Sequence, residues 1–372
     1  MTSNSHFIPG LELSRRFYHE AVRPILDAEY PGLAHSAALI GAGSEVLGFD
    51  TTMSADHHWG PRVMLFLAED DHARLADDIR ETLRWRLPYS FMGYPTSYAP
   101  PDPADHGTQL LQMVSSGPIN HRVDLLTIRG FIRGYLGWDP AARLAPADWL
   151  TFPEQKLLSL TAGGVFHDDA GLQAVRERLA YYPRDVWLYR LAAGWTRIGQ
   201  EEHLMGRAGS VGDEIGSALI GSRLVRDLMR LCFLMERRYA PYPKWFGMAF
   251  RRLACSPELA PILHRAQLAA TWQEREQHLC AAFQCVAALH NRLGLTDPLP
   301  VQATPFFGRP FLVIWGERFA QAICGRITDP EVLAIAQRAV IGGVDQFSDN
   351  TDLLSDASRR EGLRGLYQSS RA

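Results

Sequence analysis

The stretch GAGSEVLGFDTTMSADHHWGPRVMLFL, residues 41–67, joins two apolar runs through a small-residue turn and an acid-and-imidazole cluster. The preceding HSAALIGAG (35–43) reads as a buried strand that ends in glycines, and RVMLFL (62–67) as the next strand. A turn built from Gly43 and Ser44 leaves backbone N–H groups unpaired and lets a polyphosphate approach the main chain closely. Asp56 follows Ser44 after a short spacer, and Asp56 and His58, as i and i+2 of an extended chain, project from one face. In RVDLL (122–126), Val123 and Leu125 share one face and Asp124 points to the other, so an adjacent strand can deliver a carboxylate to the same place.

Outward from this stretch, Leu11, Tyr18, Val22 and Ile25 recur at helical spacing and Pro31-Gly32 closes that helix. DDHARLADDIRETLRWRL (70–87) is an amphipathic helix, the Pro- and Gly-rich 93–108 a loop, and HRVDLLTIRG (121–130) a third strand. From about residue 155 the pattern becomes long helical periods broken at YYPRD, GRAGSVGDEIGS, YAPYPKW and LTDPLP, with a small strand element in RPFLVIWG. The predicted class is α+β: a small α/β domain with a mixed sheet over 1–150, including the N-terminal helix, then a mostly helical domain over 151–372.

The 372-residue chain is 47% hydrophobic and 21% charged, with a net charge of -3. That balance supplies no global field for nucleic acid or an acidic membrane surface. The N-terminus has no cationic start followed by an apolar run, and no stretch reaches the length of a membrane helix, so a cytoplasmic protein is expected. The five cysteines lack CxxC spacing and mostly sit in apolar patterns, which predicts free thiols.

The Gly-Ser turn, the spacer, the Asp-x-His pair and the later strand acid resemble the nucleotidyltransferase fold of the DNA polymerase β superfamily, over roughly residues 34–130. DHHWGPR, WLTFPEQKLL, YYPRDVWLY and RYAPYPKWFG look like a bacterial family classed as nucleotidyltransferase-like, over most of the chain. The resemblance implies transfer of a nucleoside monophosphate, AMP from ATP first among them, to an acceptor with release of pyrophosphate. It implies Gly43, Ser44 and Lys244 as nucleotide-binding residues, and Asp56, His58 and Asp124 as catalytic ligands of a divalent metal, Mg2+ or Mn2+. The expected partners are a nucleoside triphosphate and a small-molecule acceptor rather than a protein, with no nucleic acid and no membrane. The chain departs from the superfamily where His58 stands for the second acid and Ala55 separates Ser54 from Asp56. Imidazole suits manganese, cobalt, nickel or zinc better than magnesium, and Asp50 in the spacer is the substitute acid if His58 is a bystander.

In the helical region, Leu224, Leu228, Leu231 and Met235 form a core stripe, and Arg223, Arg226, Arg230 and Arg237 share a side that reads first as a solvated face or a set of ion pairs and second as a phosphate-facing wall. Lys156 and Lys244 are the only lysines. Glu201, Glu202, His203, Asp213 and Glu214 read as solvated acids of a helical connection, with a general-base role as the functional reading, and GGVDQFSDNTDLLSD (342–356) as a surface turn. Two competing functions are a catalytically silent nucleotide-binding module, if His58 abolishes turnover, and a metallohydrolase built on ADHH and on His167-Asp168 of VFHDDAG.

Overall fold

The computed structural model describes residues 7–54 and 58–368. The described chain is an α+β fold with one mixed four-stranded sheet and a large helical part. Two compact units divide it: Met1–Arg143 with Lys156–Ala180, and Leu144–Gln155 with Tyr181–Ala372. The single boundary expected at residue 150 is therefore replaced by three crossings.

In the first unit, α1 (Gly10–Phe17) continues through a π turn at Tyr18–Val22 into α2 (Arg23–Glu29). β1 (His35–Leu39) leads into the Gly-Ser turn, and β2 (Arg62–Leu67) returns antiparallel to it. After α3 (Glu69–Arg86), two short hairpins lead to β3 (Arg122–Thr127), parallel to β2, and then to α4 (Ile128–Leu136). Parallel strands need a long crossover connection, usually a helix, which the amphipathic 69–86 segment supplies.

The odd-numbered residues of β2 and β3, Val63, Leu65, Leu67, Val123 and Leu125, join Ala37 of β1 in a core against Phe17, Val22, Leu26, Ile79 and Leu83 of the helices. Strand alternation sends the even-numbered residues Arg62, Met64 and Phe66, with Arg122 and Asp124, to the opposite face. There Phe66 meets Phe131 of α4 edge to face, at 5.6 Å between ring centroids. Both faces of β2 are buried, which explains its unbroken apolar run.

The chain continues through α5 (Pro146–Thr151) and α6 (Glu154–Thr161) to β4 (Gly164–Asp168), which pairs antiparallel with β1 and completes the order β3-β2-β1-β4, and then to α7 (Leu172–Arg178). β4 was not foreseen in the sequence.

The second unit is dominated by α8 (Arg184–Ser210) and α9 (Glu214–Met235), followed by α10 (Pro243–Phe250), α11 (Ser256–Leu268), α12 (Trp272–Arg292), α13 (Gly316–Cys324) and α14 (Pro330–Arg338). The predicted stripe Leu224, Leu228, Leu231 and Met235 is buried. A two-stranded element does form at Thr304–Pro305 and Leu312–Val313. The five cysteines are free thiols. Among the described residues no helix is long and apolar enough to cross a membrane.

Candidate functional site

The Gly-Ser turn is held from beneath by a buried ion pair. Arg62, the first residue of β2, donates through Nε to Glu45 Oε1 at 3.0 Å and through Nη2 to the Ala42 carbonyl at 2.9 Å. Both side chains are buried. Gly43 sits over the pair with φ +143, where a Cβ would lie 2.6 Å from Glu45 Oε2 and 2.8 Å from Arg62 Nη2. Glycine is required there by both conformation and space. The Ser44 carbonyl accepts the Phe49 N–H at 2.9 Å, closing the turn that follows.

Register then sets the neighbours. Arg62 lies opposite Arg122, and Met64 opposite Asp124, across the parallel β2–β3 pair. Arg122 Nη1 donates to His58 Nδ1 at 2.9 Å and to Gln109 Oε1 at 2.9 Å. The His58 backbone has φ +52, and its N–H donates to the Gln109 carbonyl at 3.2 Å. The turn, the end of the Asp-His-His segment and Asp124 thus share one face of the sheet, linked through Arg62 and Arg122.

This arrangement changes the role expected of His58. A guanidinium is always a donor, so Nδ1 must be the acceptor, and a neutral ring then carries its hydrogen on Nε2. As placed, the imidazole presents no lone pair to a metal, contrary to the ligand role predicted for it. Asp56 lies outside the described residues. Asp124 is partly exposed on β3, and it lines a cleft of about 620 Å³ along that edge of the sheet. Among the described residues, no group of three His, Cys, Asp or Glu side chains is arranged to hold a metal ion. The described donors alone therefore do not make a metal site.

Asp50 is used structurally. Its Oδ2 accepts the Gly10 N–H at 2.6 Å and the Trp59 Nε1–H at 3.1 Å, which fixes the start of α1 against the segment entering β2. Lys244 belongs to the second unit, exposed in the first turn of α10 with Nζ 4.9 Å from the Trp245 ring centroid. Lys156 is buried and donates to the Tyr135 carbonyl at 2.8 Å.

The residues behind the other readings are occupied as well. Asp168 accepts the Ser36 hydroxyl at 2.5 Å and the Leu172 and Gln173 N–H groups at 2.7 and 3.0 Å, so it caps α7. Burial opposes its ionisation, but these donors hold its carboxyl below the usual range. His167 bonds Asp169 instead, at 2.7 Å. Of the arginine stripe, Arg223 pairs with Glu201 at 2.6 Å and Arg226 with Asp349 at 2.8 Å, while Arg237 lies 4.7 Å over Trp187.

Two acidic readings need correction. Glu202 is buried, accepting the N–H groups of Ile314, Trp315 and Gly316 at 2.6, 3.2 and 3.1 Å to cap α13. Burial pushes it up to about 7 against the pull of those donors. Asp345, expected on a surface turn, is also buried and accepts the Glu154 N–H at 2.9 Å. Beside it the fully buried Arg190 pairs with Glu154 and donates to Tyr182 Oη at 2.6 Å. The Arg190 charge is thus paired with Glu154, while burial first and Glu154 second raise the carboxyl of Asp345 to about 6.

The sequence reading passed over Glu45, Arg62, Arg122, Gln109 and Tyr98. Tyr98 is 1% exposed, its ring lies 5.8 Å from the Arg122 guanidinium carbon, and its hydroxyl has no hydrogen-bond partner among the described residues. Burial raises it well above the ordinary tyrosine range. A signal for Arg62 did exist: an arginine opening an otherwise apolar strand has to find an acid or a carbonyl inside.

A family described as Domain of unknown function (DUF4037) matches residues 149–246. That span runs from within α5 to the first half of α10 and includes Glu154, Arg190 and Lys244. No curated protein and no solved structure matches the chain.

Proposed function

We propose that the first unit binds a nucleoside triphosphate on the sheet face of Gly43, Ser44 and Asp124 and transfers its nucleoside monophosphate to an acceptor, with release of pyrophosphate. One observation carries this reading. β1 ends in the Gly-Ser turn, β2 returns antiparallel, and β3 runs parallel to β2 with Asp124 on the face where Arg122 holds His58.

In this reading the backbone of the turn approaches the phosphates, and the Glu45–Arg62 pair keeps the turn from relaxing when anionic oxygens arrive. Preorganised dipoles of this kind stabilise developing charge without reorganising at the moment of reaction. Asp124 takes the acceptor proton. A divalent ion supplies charge neutralisation to such transfers. Asp56 is the carboxylate proposed for it, ahead of His58, which leaves Asp124 free to act as the base.

A second reading is favoured by the His58–Arg122 hydrogen bond, which occupies the place of the superfamily's second acid: binding of a nucleotide without turnover. Purified protein, titrated with ATP, GTP, CTP and UTP and assayed for pyrophosphate release against a metabolite pool as acceptor with Mg2+ and with Mn2+, separates the two. Transfer predicts metal-dependent pyrophosphate release that falls roughly 10²–10⁴-fold in Asp124→Asn, while ATP still binds. Binding without pyrophosphate release under any metal establishes the silent module, and absence of binding refutes both.

A further inference from the structure

Asp124 shares its cleft with three arginines. Arg80 and Arg84 of α3 and Arg122 of β3 line the same cleft of about 620 Å³, with Gln109 and Asn120 as neutral polar neighbours. Arg80 and Arg84 are four residues apart, so their side chains leave one side of the helix. His121, also in the lining, is committed: its Nδ1 accepts the Val123 N–H at 3.1 Å, leaving Nε2 to donate to the Arg80 carbonyl at 3.1 Å. Burial also depresses its basicity, so it adds no charge. The cleft therefore sets three guanidinium groups against one carboxylate.

The two helix arginines are poised rather than consumed. Arg80 pairs with Asp77, and Arg84 with Glu81 at 2.8 Å. Asp77 is 98% exposed and Glu81 53%, and exposed ion pairs at this spacing contribute little. An incoming anion can take over both guanidinium forks. Met64, Leu126 and Phe131 give the same cleft an apolar side for a carbon skeleton.

We propose that this cleft holds the acceptor, and that the acceptor is a small hydroxyl compound bearing a phosphate or carboxylate group gripped by Arg80 and Arg84. The assignment rests on the nucleotidyl-transfer reading above. The acceptor oxygen attacks the α-phosphorus and the bond to the bridging α–β oxygen breaks. Pyrophosphate leaves with that electron pair, and the hydroxyl proton passes to the Asp124 carboxylate. An anionic tail held by fixed guanidiniums orients the hydroxyl, where a neutral alcohol would tumble.

The test is titration calorimetry on the full chain with glycerol 3-phosphate, glycerate and glycerol as probes, beside a separate ATP titration. The two anions distinguish a phosphate from a carboxylate tail. The expected result is binding of at least one anion and no binding of glycerol. That anion should bind roughly 10–100-fold more weakly to Arg80→Ala/Arg84→Ala, the loss of two charge-assisted contacts. Arg80→Lys/Arg84→Lys should recover part of the loss, and Arg74→Ala, exposed on the same helix and paired with Asp71, should match wild type. Equal binding of glycerol, no binding of either anion, or unchanged affinity in the double alanine variant overturns the site. If the anion binds but ATP does not, the acceptor role is overturned together with the transfer reading.

Discussion

Gly43→Ala tests the mechanical link between the turn and the first residue of β2. At φ +143 an alanine sits in a region that is essentially glycine-only, a strain of about 1–3 kcal/mol. Its Cβ would also fall 2.6 Å from Glu45 Oε2 and 2.8 Å from Arg62 Nη2, so the turn must lift or the buried pair must part. Parting a buried pair costs about 3–5 kcal/mol, which caps the steric contribution. Glu45→Ala alone removes one partner, leaves Arg62 with the Ala42 carbonyl, and should cost about the same 3–5 kcal/mol. In the double variant the nearest clash has gone with the carboxylate. The two losses should then fall short of their sum by about 2 kcal/mol, within the range of coupling between contacting residues. Hydrogen-exchange mass spectrometry on peptides covering 35–67 reads the local opening free energy of β1 and β2 in the four proteins, without interference from the helical unit. Additivity within about 0.5 kcal/mol would mean that Gly43 and the Glu45–Arg62 pair are mechanically independent, and the account of why the turn needs glycine would fail.

Other expectations concern acids that the structure takes out of catalysis. Glu202 titrates near 7 in the folded chain against 4.5 ordinarily. Its raised value therefore favours folding below pH 4.5, and this contribution is lost as pH rises towards 7, by at most about 3 kcal/mol. Asp345, raised to about 6 by burial and by Glu154, acts in the same sense below that. Glu202→Gln should remove the slope of stability between about pH 6 and 7 in urea titrations. A slope there unchanged from wild type would show that Glu202 is ionised in both states. Asp50→Ala deletes the acceptor for Gly10 and Trp59 and should destabilise the first unit by about 1–3 kcal/mol, leaving metal preference in the pyrophosphate assay as in wild type. A shifted metal preference would return Asp50 to the list of metal-binding acids.

Much of the first unit was legible because its signals are local. β1, β2 and β3 are apolar runs with strand periodicity, and the helix between β2 and β3 announces itself by its amphipathic pattern. The pairing of Asp124 with that face also followed from alternation alone. β4 was not legible: Gly164–Asp168 is only partly buried and carries no clean alternation, and its place beside β1 is set by residues well over a hundred positions away. The same distance hid the site's supports. Glu45 and Arg62 are unremarkable charges until folding buries them together, and Asp345 sits in an acidic, turn-rich run whose composition says surface while its contact with Glu154 says interior. His58 was misread for a related reason. Its spacing from Asp56 suggested a ligand, but the partner that fixes its tautomer, Arg122, comes from another strand.

The three crossings between the units bear on how the chain emerges from the ribosome. The sheet of the first unit lacks β4 until residue 168 has been made, by which time α5 and the first residues of α6, which belong to the second unit, are already out. Until then one side of β1 is an open edge with unpaired N–H and C=O groups, the kind of edge that recruits stray strands. Vectorial folding, in which an N-terminal domain closes before its successor appears, is thus delayed in this chain until residue 180, after residues 144–155 of the second unit have already emerged. The interval between the synthesis of β1 and that of β4 is its period of greatest exposure to misassociation, and the nascent chain's need for a holding chaperone should be greatest there.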